Sequence, residues 1–150
     1  MITLIRTESS HPDFIKLVRL LDAYLAEKDG DEHEFYHQFN SIDSLQYVVI
    51  CYEGEVAVAC GAIKPFDESA MEVKRMFCLP EARGRDIASK VLNELEKWAL
   101  ELDFSACVLE TGKRQVEAVG FYQKQGYIKT LNYGQYVGVE NSLCFRKEMN

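Results

Sequence analysis

A short basic loop is the part of this sequence with the clearest chemistry. Arg83, Gly84 and Arg85 stand between an apolar run that ends at Leu79 and a segment with helical spacing that begins at Ile87. A strand, a short loop and a helix start together direct free backbone N–H groups and the positive end of the helix dipole at one point, where two guanidinium groups add charge. The loop predicts an anion site that suits pyrophosphate, although alone it also fits a solvated basic turn.

A second charged feature is the acidic stretch at residues 22–34, DAYLAEKDGDEHE, which holds six carboxylates and one lysine. Such a run attracts cations. It indicates either a surface that draws in a cationic amine or the solvated end of a helix.

The cysteines form no metal-binding or redox pattern. The five cysteines lie far apart inside apolar runs and there is no CxxC pair. We expect no ligand role for the three histidines. We therefore expect no metal, and reduced, mostly buried thiols of the kind usual in cytosolic proteins.

The net charge of the chain limits the kinds of molecule that it is expected to bind. The 17 Lys and Arg residues against 24 Asp and Glu residues give a net charge of −7, which argues against broad binding to nucleic acid or to an anionic membrane surface. No stretch approaches the roughly 18 apolar residues that span a bilayer, and residues 1–10 lack the pattern of a secretion signal. Small molecules and basic partners remain, and we expect a cytoplasmic location.

The spacing of apolar residues predicts the elements that position these groups. A strand at residues 2–6 is followed by a helix with one apolar face from Pro12 to about Gly30, and residues 32–39 are predicted to form a second, short helix. Three strands separated by short turns, the pattern of an antiparallel meander, follow at residues 45–52, 55–64 and 71–79.

The second half of the chain adds crossovers to this meander. Apolar residues recur at helical spacing over about five turns within residues 80–102. The remaining elements are a strand, a helix that Gly126 ends, and two strands, at residues 104–109, 115–125, 127–131 and 142–147. The order β-α-α-β-β-β-α-β-α-β-β, in a chain of one-domain size, predicts a single α/β (α+β) domain over residues 1–150 with a mixed, mostly antiparallel central sheet flanked by helices.

Two motifs in this frame resemble those of the GNAT family of acetyl-CoA-dependent N-acetyltransferases, and the likeness covers essentially the whole chain. The family's Q/R-x-x-G-x-G/A signature is similar to Arg83-Gly84-Arg85-Asp86-Ile87-Ala88. Its N-x-x-A-x-x-x-Y-x-x-x-G-F/Y element is similar to residues 115–127, QVEAVGFYQKQGY. The resemblance implies the GNAT fold and transfer of an acetyl group to a primary amine by direct attack.

Two positions depart from these motifs. Asp86 stands where the family usually has a glycine, and a carboxylate there can cap the helix but also repels phosphate. Gln115 replaces the usual asparagine, which keeps the amide and lengthens its reach. The first departure puts the affinity for the cofactor in question.

The resemblance also implies where acetyl-CoA binds. In the family, the pantetheine arm pairs with backbone groups of the strand before the phosphate loop, and one of those N–H groups can polarise the acetyl carbonyl. The expected cofactor-binding residues are Met76, Phe77, Cys78, Arg83, Gly84, Arg85, Asp86, Ile87, Ala88, Ser89, Gln115, Ala118 and Tyr122.

Acetyl transfer needs a base, an oxyanion donor and an acid, because an alkylammonium with a pKa near 10 is not a nucleophile and the departing thiolate is best protonated as it leaves. The resemblance assigns the acid to Tyr122 and the base to Glu72, with Glu110 or a water relay as alternatives. Strand alternation predicts that Glu72 shares one face with Lys74, Met76 and Cys78. The position of Cys78 near the expected thioester suggests a covalent acetyl-cysteine intermediate. Direct transfer is the family norm, however, and a role of Cys78 in core packing is the better interpretation.

The family builds its acceptor site from the first two helices, the strand ends and the loop before the last strand. Here these segments hold the acidic stretch and an aromatic-polar loop that includes Asn132 and Gln135. The expected acceptor-binding residues are Asp29, Asp31, Glu32, Glu110, Tyr133 and Tyr136. A small amine or an amino-acid-like acceptor is favoured; the alternatives are a protein or peptide amine and, in view of Asp86, a non-catalytic acyl-CoA sensor. Homodimers are common in the family.

Overall fold

The computed structural model describes residues 1–29 and 45–149 of the chain, so the helix predicted at residues 32–39 lies outside the described residues. The strands are β1 (Ile2–Thr7), β2 (Tyr47–Glu53), β3 (Val56–Pro65), β4 (Ala70–Cys78), β5 (Ala106–Gly112), β6 (Ile128–Thr130) and β7 (Ser142–Glu148). The helices of the described part are α1 (Pro12–Asp29), α2 (Ile87–Glu101) and α3 (Val116–Lys124). The predicted order of elements is confirmed wherever the chain is described, and β6 is shorter than expected.

The seven strands form one mixed sheet in the order β1-β2-β3-β4-β5-β7-β6. Every neighbouring pair is antiparallel except β4 and β5, which are parallel. The pairing of β4 with β5 runs from Ala70 opposite Ala106 to Glu72 opposite Val108, and both strands continue beyond it. The sheet therefore opens between β4 and β5, and backbone groups along this opening are available to a ligand.

A β-bulge in β4 changes which residues share a face. Lys74 pairs with Ala62 of β3, whereas Phe77 pairs with Cys60, so β4 holds one extra residue at this point, where Arg75 has φ +60°. A bulge of one residue reverses the alternation of side chains beyond it. The expectation that Met76 and Cys78 share the face of Glu72 and Lys74 is therefore wrong.

Two apolar layers cover the sheet. Neighbouring residues of β2 divide between them, because Val48 packs with α1 and Val49 packs with α2. The buried face of α1 consists of Phe14, Leu17, Val18 and Leu21, and that of α2 includes Ile87, Val91, Leu92, Leu95 and Ala99. Helix α3 contributes Tyr122 to the α2 layer. Lys74 thus faces α1, as its partner Ala62 does, while Met76 lies on the side of α2.

Candidate active site

A groove of about 570 Å³ lies between the end of β4, the start of α2 and helix α3. Every residue expected to bind the cofactor lines this groove except Arg85. The lining also includes Leu21, Tyr24, Ala82, Glu117, Gly120, Phe121, Lys124 and Gln125. The two motifs, which lie about 30 residues apart in the sequence, therefore meet in one cleft.

The start of α2 is the polar end of this groove. Asp86 is the N-cap residue with φ +61°, and its exposed side chain makes no capping hydrogen bond. Gly84 has φ +81°, and a Cβ added there would meet nothing within 4 Å. The first backbone N–H groups of a helix have no intrahelical acceptor, so here they are open to an anion in the groove. The left-handed backbone at Asp86 also gives a physical reason for the family's glycine at this position.

The two arginines of the loop take different directions. Arg83 lines the groove, where its Nε donates to the backbone oxygen of Cys78 at 3.0 Å and its guanidinium lies 5.7 Å from the ring centre of Tyr24. Arg85 instead donates two hydrogen bonds, of 2.6 and 2.9 Å, to the Glu53 carboxylate. Arg85 therefore does not line the groove, and its contact with the cofactor stays a prediction.

A second cavity, of about 110 Å³, occupies the opening between β4 and β5. Its walls are Leu21, Leu25, Glu72, Val73, Lys74, Arg75, Met76, Leu109, Glu110, Thr111, Gly112, Gln115, Ala118, Tyr122 and Tyr136. Leu21, Met76, Gln115, Ala118 and Tyr122 line both this cavity and the groove. The two spaces therefore meet beside Met76 and Tyr122, where a molecule in one can reach a molecule in the other.

Tyr122 stands at this junction. Its side chain is buried, and burial raises the pKa of its phenol above the ordinary value of 10.0. The phenol therefore keeps its proton at neutral pH. Phe121 and Tyr127 hold the ring through edge contacts, with ring centres 5.2 and 5.8 Å away.

Glu72 lies deeper in the second cavity and is only 5% exposed. Its Oε2 accepts a hydrogen bond from the Tyr133 hydroxyl at 2.8 Å. Tyr133 packs against Phe66 and Tyr136, with ring centres 4.7 and 5.8 Å away. Burial, followed by the charge of Glu72, raises the pKa of Tyr133, so this phenol remains a donor. The loop before β7 is thereby held over the same side of the sheet as α1.

Two positively charged residues of the cavity wall, Lys74 and Arg75, belong to neither of the two motifs. Lys74 is half-buried, and burial lowers the pKa of its ammonium, an effect that the charges of Glu72 and Glu110 oppose. The Arg75 side chain is 3% exposed, and its Nη1 donates to Asp22 of α1 at 2.8 Å. The only signal for them in the sequence is a pair of adjacent basic residues inside a β-rich run.

The acidic stretch stays a prediction. Asp31 and Glu32 lie outside the described residues, and Asp29 is the last residue of α1. Among the acidic side chains of α1, Asp22 is the partner of Arg75.

The cysteines are free and buried, as predicted. Cys78 lines the groove, but burial raises the pKa of its thiol and so disfavours the nucleophilic thiolate. Within residues 1–29 and 45–149, no group of three His, Cys, Asp or Glu side chains is arranged to hold a metal ion. In the same part of the chain, no helix is both long and apolar enough to cross a membrane.

Comparisons with known proteins agree with this geometry. Residues 14–127 match the model of the Acetyltransferase (GNAT) family. The IAA acetyltransferase of Azospirillum brasilense is 32% identical over 99% of this chain and 98% of its own length. A Klebsiella pneumoniae structure assigned to the acyl-CoA N-acyltransferases has a TM-score of 0.84 at 26% identity, covering 100% of this chain and 99% of that one. A GNAT acetyltransferase from Elizabethkingia anophelis with acetyl-CoA bound shares the fold, with a TM-score of 0.70 at 14% identity over 99% of this chain and 98% of that one. The chain therefore belongs to the Acetyltransferase (GNAT) family and is an acetyl-CoA-dependent acyltransferase.

Proposed function

We propose that this enzyme transfers the acetyl group of acetyl-CoA to the primary amine of a small molecule that binds in the cavity between β4 and β5. The observation that carries the proposal is a small cavity with carboxylates in its wall that meets the cofactor groove beside Tyr122. A volume of about 110 Å³ suits a small acceptor better than a folded protein surface. The name of the relative from Azospirillum brasilense, IAA acetyltransferase, also points to a small-molecule acceptor.

The groove fits acetyl-CoA, which supplies the activated acetyl group when bound. The uncapped first turn of α2 and Gly84 leave backbone N–H groups and open space for the pyrophosphate, and Arg83 adds charge on the groove wall. The backbone of Met76 to Cys78 lies along the open edge of β4 and lines the same groove.

Glu72 and Glu110 prepare the amine in this proposal. Both line the cavity, so they attract an ammonium and one of them takes its proton. We assign that step to Glu72, whose carboxylate Tyr133 holds in place. Glu72 precedes Met76 by four residues of β4, with the β-bulge between them, so a chain of waters carries the proton from an amine at the junction to Glu72.

Tyr122 supplies the proton on the opposite side of the reaction. Its buried, neutral hydroxyl lies where the groove and the cavity meet. A general acid at that point favours the departure of a thiolate, whose ordinary pKa is about 8 to 9. Attack by the neutral amine then needs no covalent enzyme intermediate.

A thiol-release assay with acetyl-CoA and a panel of small amines, amino acids, polyamines and peptides tests the proposal. We expect release above the acceptor-free background with one class of small primary amine. A preference for peptide or protein amines would assign the enzyme to the protein acetyltransferases instead. Binding of acetyl-CoA without release for any acceptor would indicate a sensor.

A further inference from the structure

We infer that the acceptor is bipolar, with an acidic group close to its primary amine, and that Lys74 binds the acidic group. The inference rests on the proposed function and names the class of molecule that the cavity takes. It starts from the observation that the wall of a small cavity carries both signs of charge.

The carboxylates of Glu72 and Glu110 would by themselves suit a simple cationic amine, but Lys74 shares their cavity. A lysine in the wall repels a ligand that is only positive and attracts an acidic group that enters the cavity. The direction of the pKa of Lys74, lowered chiefly by burial, agrees with such an environment. A wall of two carboxylates and an ammonium is complementary to a ligand that carries both charges.

Arg75, the second positively charged residue of the cavity wall, pairs with a residue of α1. Arg75 extends to α1, where it donates to Asp22 at 2.8 Å, and its side chain is 3% exposed. This ion pair fastens α1 to the β-bulge. Lys74 points to the α1 face of the sheet, and it is the ammonium that shares the cavity with Glu72 and Glu110.

The position of Lys74 along β4 suits the acid group of a short molecule. Lys74 precedes Met76, at the junction with the groove, by two residues, with the β-bulge between them. The register of Glu72 opposite Val108 brings Glu110 of β5 across the opening from Lys74. An amine that reaches the junction therefore leaves a neighbouring carboxylate within the reach of the Lys74 side chain.

The enclosing side chains limit the rest of the acceptor. Leu21 and Leu25 of α1 and the buried ring of Tyr136 close the cavity on the α1 side. A polyamine would bring a second positive charge against Lys74, and a lysine side chain of a protein would bring no anion to it. An amino acid or a similar small zwitterion meets both requirements.

Matched acceptors provide the test. The thiol-release rate is measured for α-amino acids and β-amino acids, for their carboxamides, and for the amines of the same skeleton without the acid group, such as alanine, alaninamide and ethylamine. We expect kcat/KM to be about 10- to 150-fold higher for the acid than for either analogue, the range of one hydrogen bond between charged groups. The carboxamide has the less basic amine, so this order cannot arise from easier deprotonation.

Two lysine variants locate the effect. Lys74→Met keeps the length of the side chain and removes its charge, so we expect the preference for the acid to fall to within about threefold. Lys64→Met is the control, because Lys64 is exposed on β3 in register with Glu72 and is not part of the cavity wall. That control should keep the preference. An unchanged melting shift with acetyl-CoA shows that each variant is folded, and Lys74→Gln replaces the methionine variant if it is not.

Equal rates for the three acceptors, or a preference for the amine without the acid group, would overturn the inference and leave the proposed function intact. An equal loss of preference in Lys64→Met and Lys74→Met would also overturn it, because a distant field rather than a binding contact would then be responsible. If no small amine of the panel releases thiol, the proposed function fails and the inference fails with it.

Discussion

At the scale of single residues, Tyr122 is the group whose chemistry can be removed with the least structural change. Tyr122→Phe keeps the ring and its contacts with Phe121 and Tyr127. We expect kcat to fall by about 10² to 10⁴, or by less if water protonates the leaving group, with little change in the melting temperature. Steady-state rates of thiol release and thermal unfolding check this, and an unchanged kcat, where chemistry limits turnover, would reduce Tyr122 to a packing residue.

A related prediction concerns the pH dependence of kcat in the parent enzyme. Burial raises the pKa of Tyr122 above 10.0, so the donor form persists as the pH approaches that value. We therefore expect no fall in the kcat of the parent enzyme below pH 10 that can be traced to Tyr122, that is, no decline that is absent from Tyr122→Phe. Such a decline would contradict the assignment of a buried neutral phenol.

The role of Glu72 as the base can be tested by its effect on the deprotonation of the amine. Glu72→Gln keeps an oxygen that accepts from Tyr133 but cannot take a proton. We expect a lower rate at neutral pH that recovers as the pH approaches the pKa of the amine itself. Glu110→Gln is the matched comparison, and a larger pH-dependent loss there would transfer the role of base to Glu110. A loss that is equal at all pH values would make Glu72 structural.

At the scale of elements, the start of α2 shows what the sequence could predict and what it could not. The anion site follows from a strand, a loop and a helix start that are continuous in sequence, so composition was enough to indicate it. The direction of Arg85 was not predictable in this way, because its partner Glu53 lies 32 residues away in the β2–β3 hairpin. The left-handed backbone conformation of Asp86 was not predictable from the sequence either, because the glycine that the family has at this position is the only indication of it.

Asp86→Gly tests that element. Glycine adopts a positive φ at no steric cost, and the substitution removes a carboxylate beside the pyrophosphate site, so we expect tighter binding of acetyl-CoA and a stability gain of at most about 1 kcal/mol. Thermal unfolding with and without acetyl-CoA measures both effects. Weaker binding would show that the Asp86 side chain is needed to hold the loop.

The bulge in β4 is the element that sequence alternation missed. It depends on one extra residue relative to β3, a property of register that the composition of β4 does not reveal. Gly61 of β3 offers a hint, because a Cβ there would lie 2.4 Å from Met76 Sδ and 2.9 Å from a methyl group of Leu95. The bulge places Glu72 and Lys74 on the α1 side of the sheet and Met76 and Cys78 on the α2 side.

At the scale of the whole molecule, the proposed function places both substrates at one opening in the sheet. The parallel β4–β5 pair ends early, α1 and the aromatic loop cover one side of the opening, and α2 and α3 form the groove on the other. The order of elements predicted this architecture, because the meander and crossovers allow few topologies. The surroundings of the cavity were less predictable. Strand alternation places Glu72 and Lys74 on one face, but Glu110 joins them only through the β4–β5 register, and Tyr133 reaches Glu72 through a contact across 61 residues.

The most direct test of this account is a single-turnover reaction with limiting acetyl-CoA and an accepted small amine, in which the free thiol and the acetylated amine are both quantified. Direct transfer at the junction of groove and cavity predicts one molecule of acetylated amine for each thiol released, with both products formed at the same rate. A burst of thiol ahead of the acetylated amine, or thiol release without acetylated amine, would contradict the account.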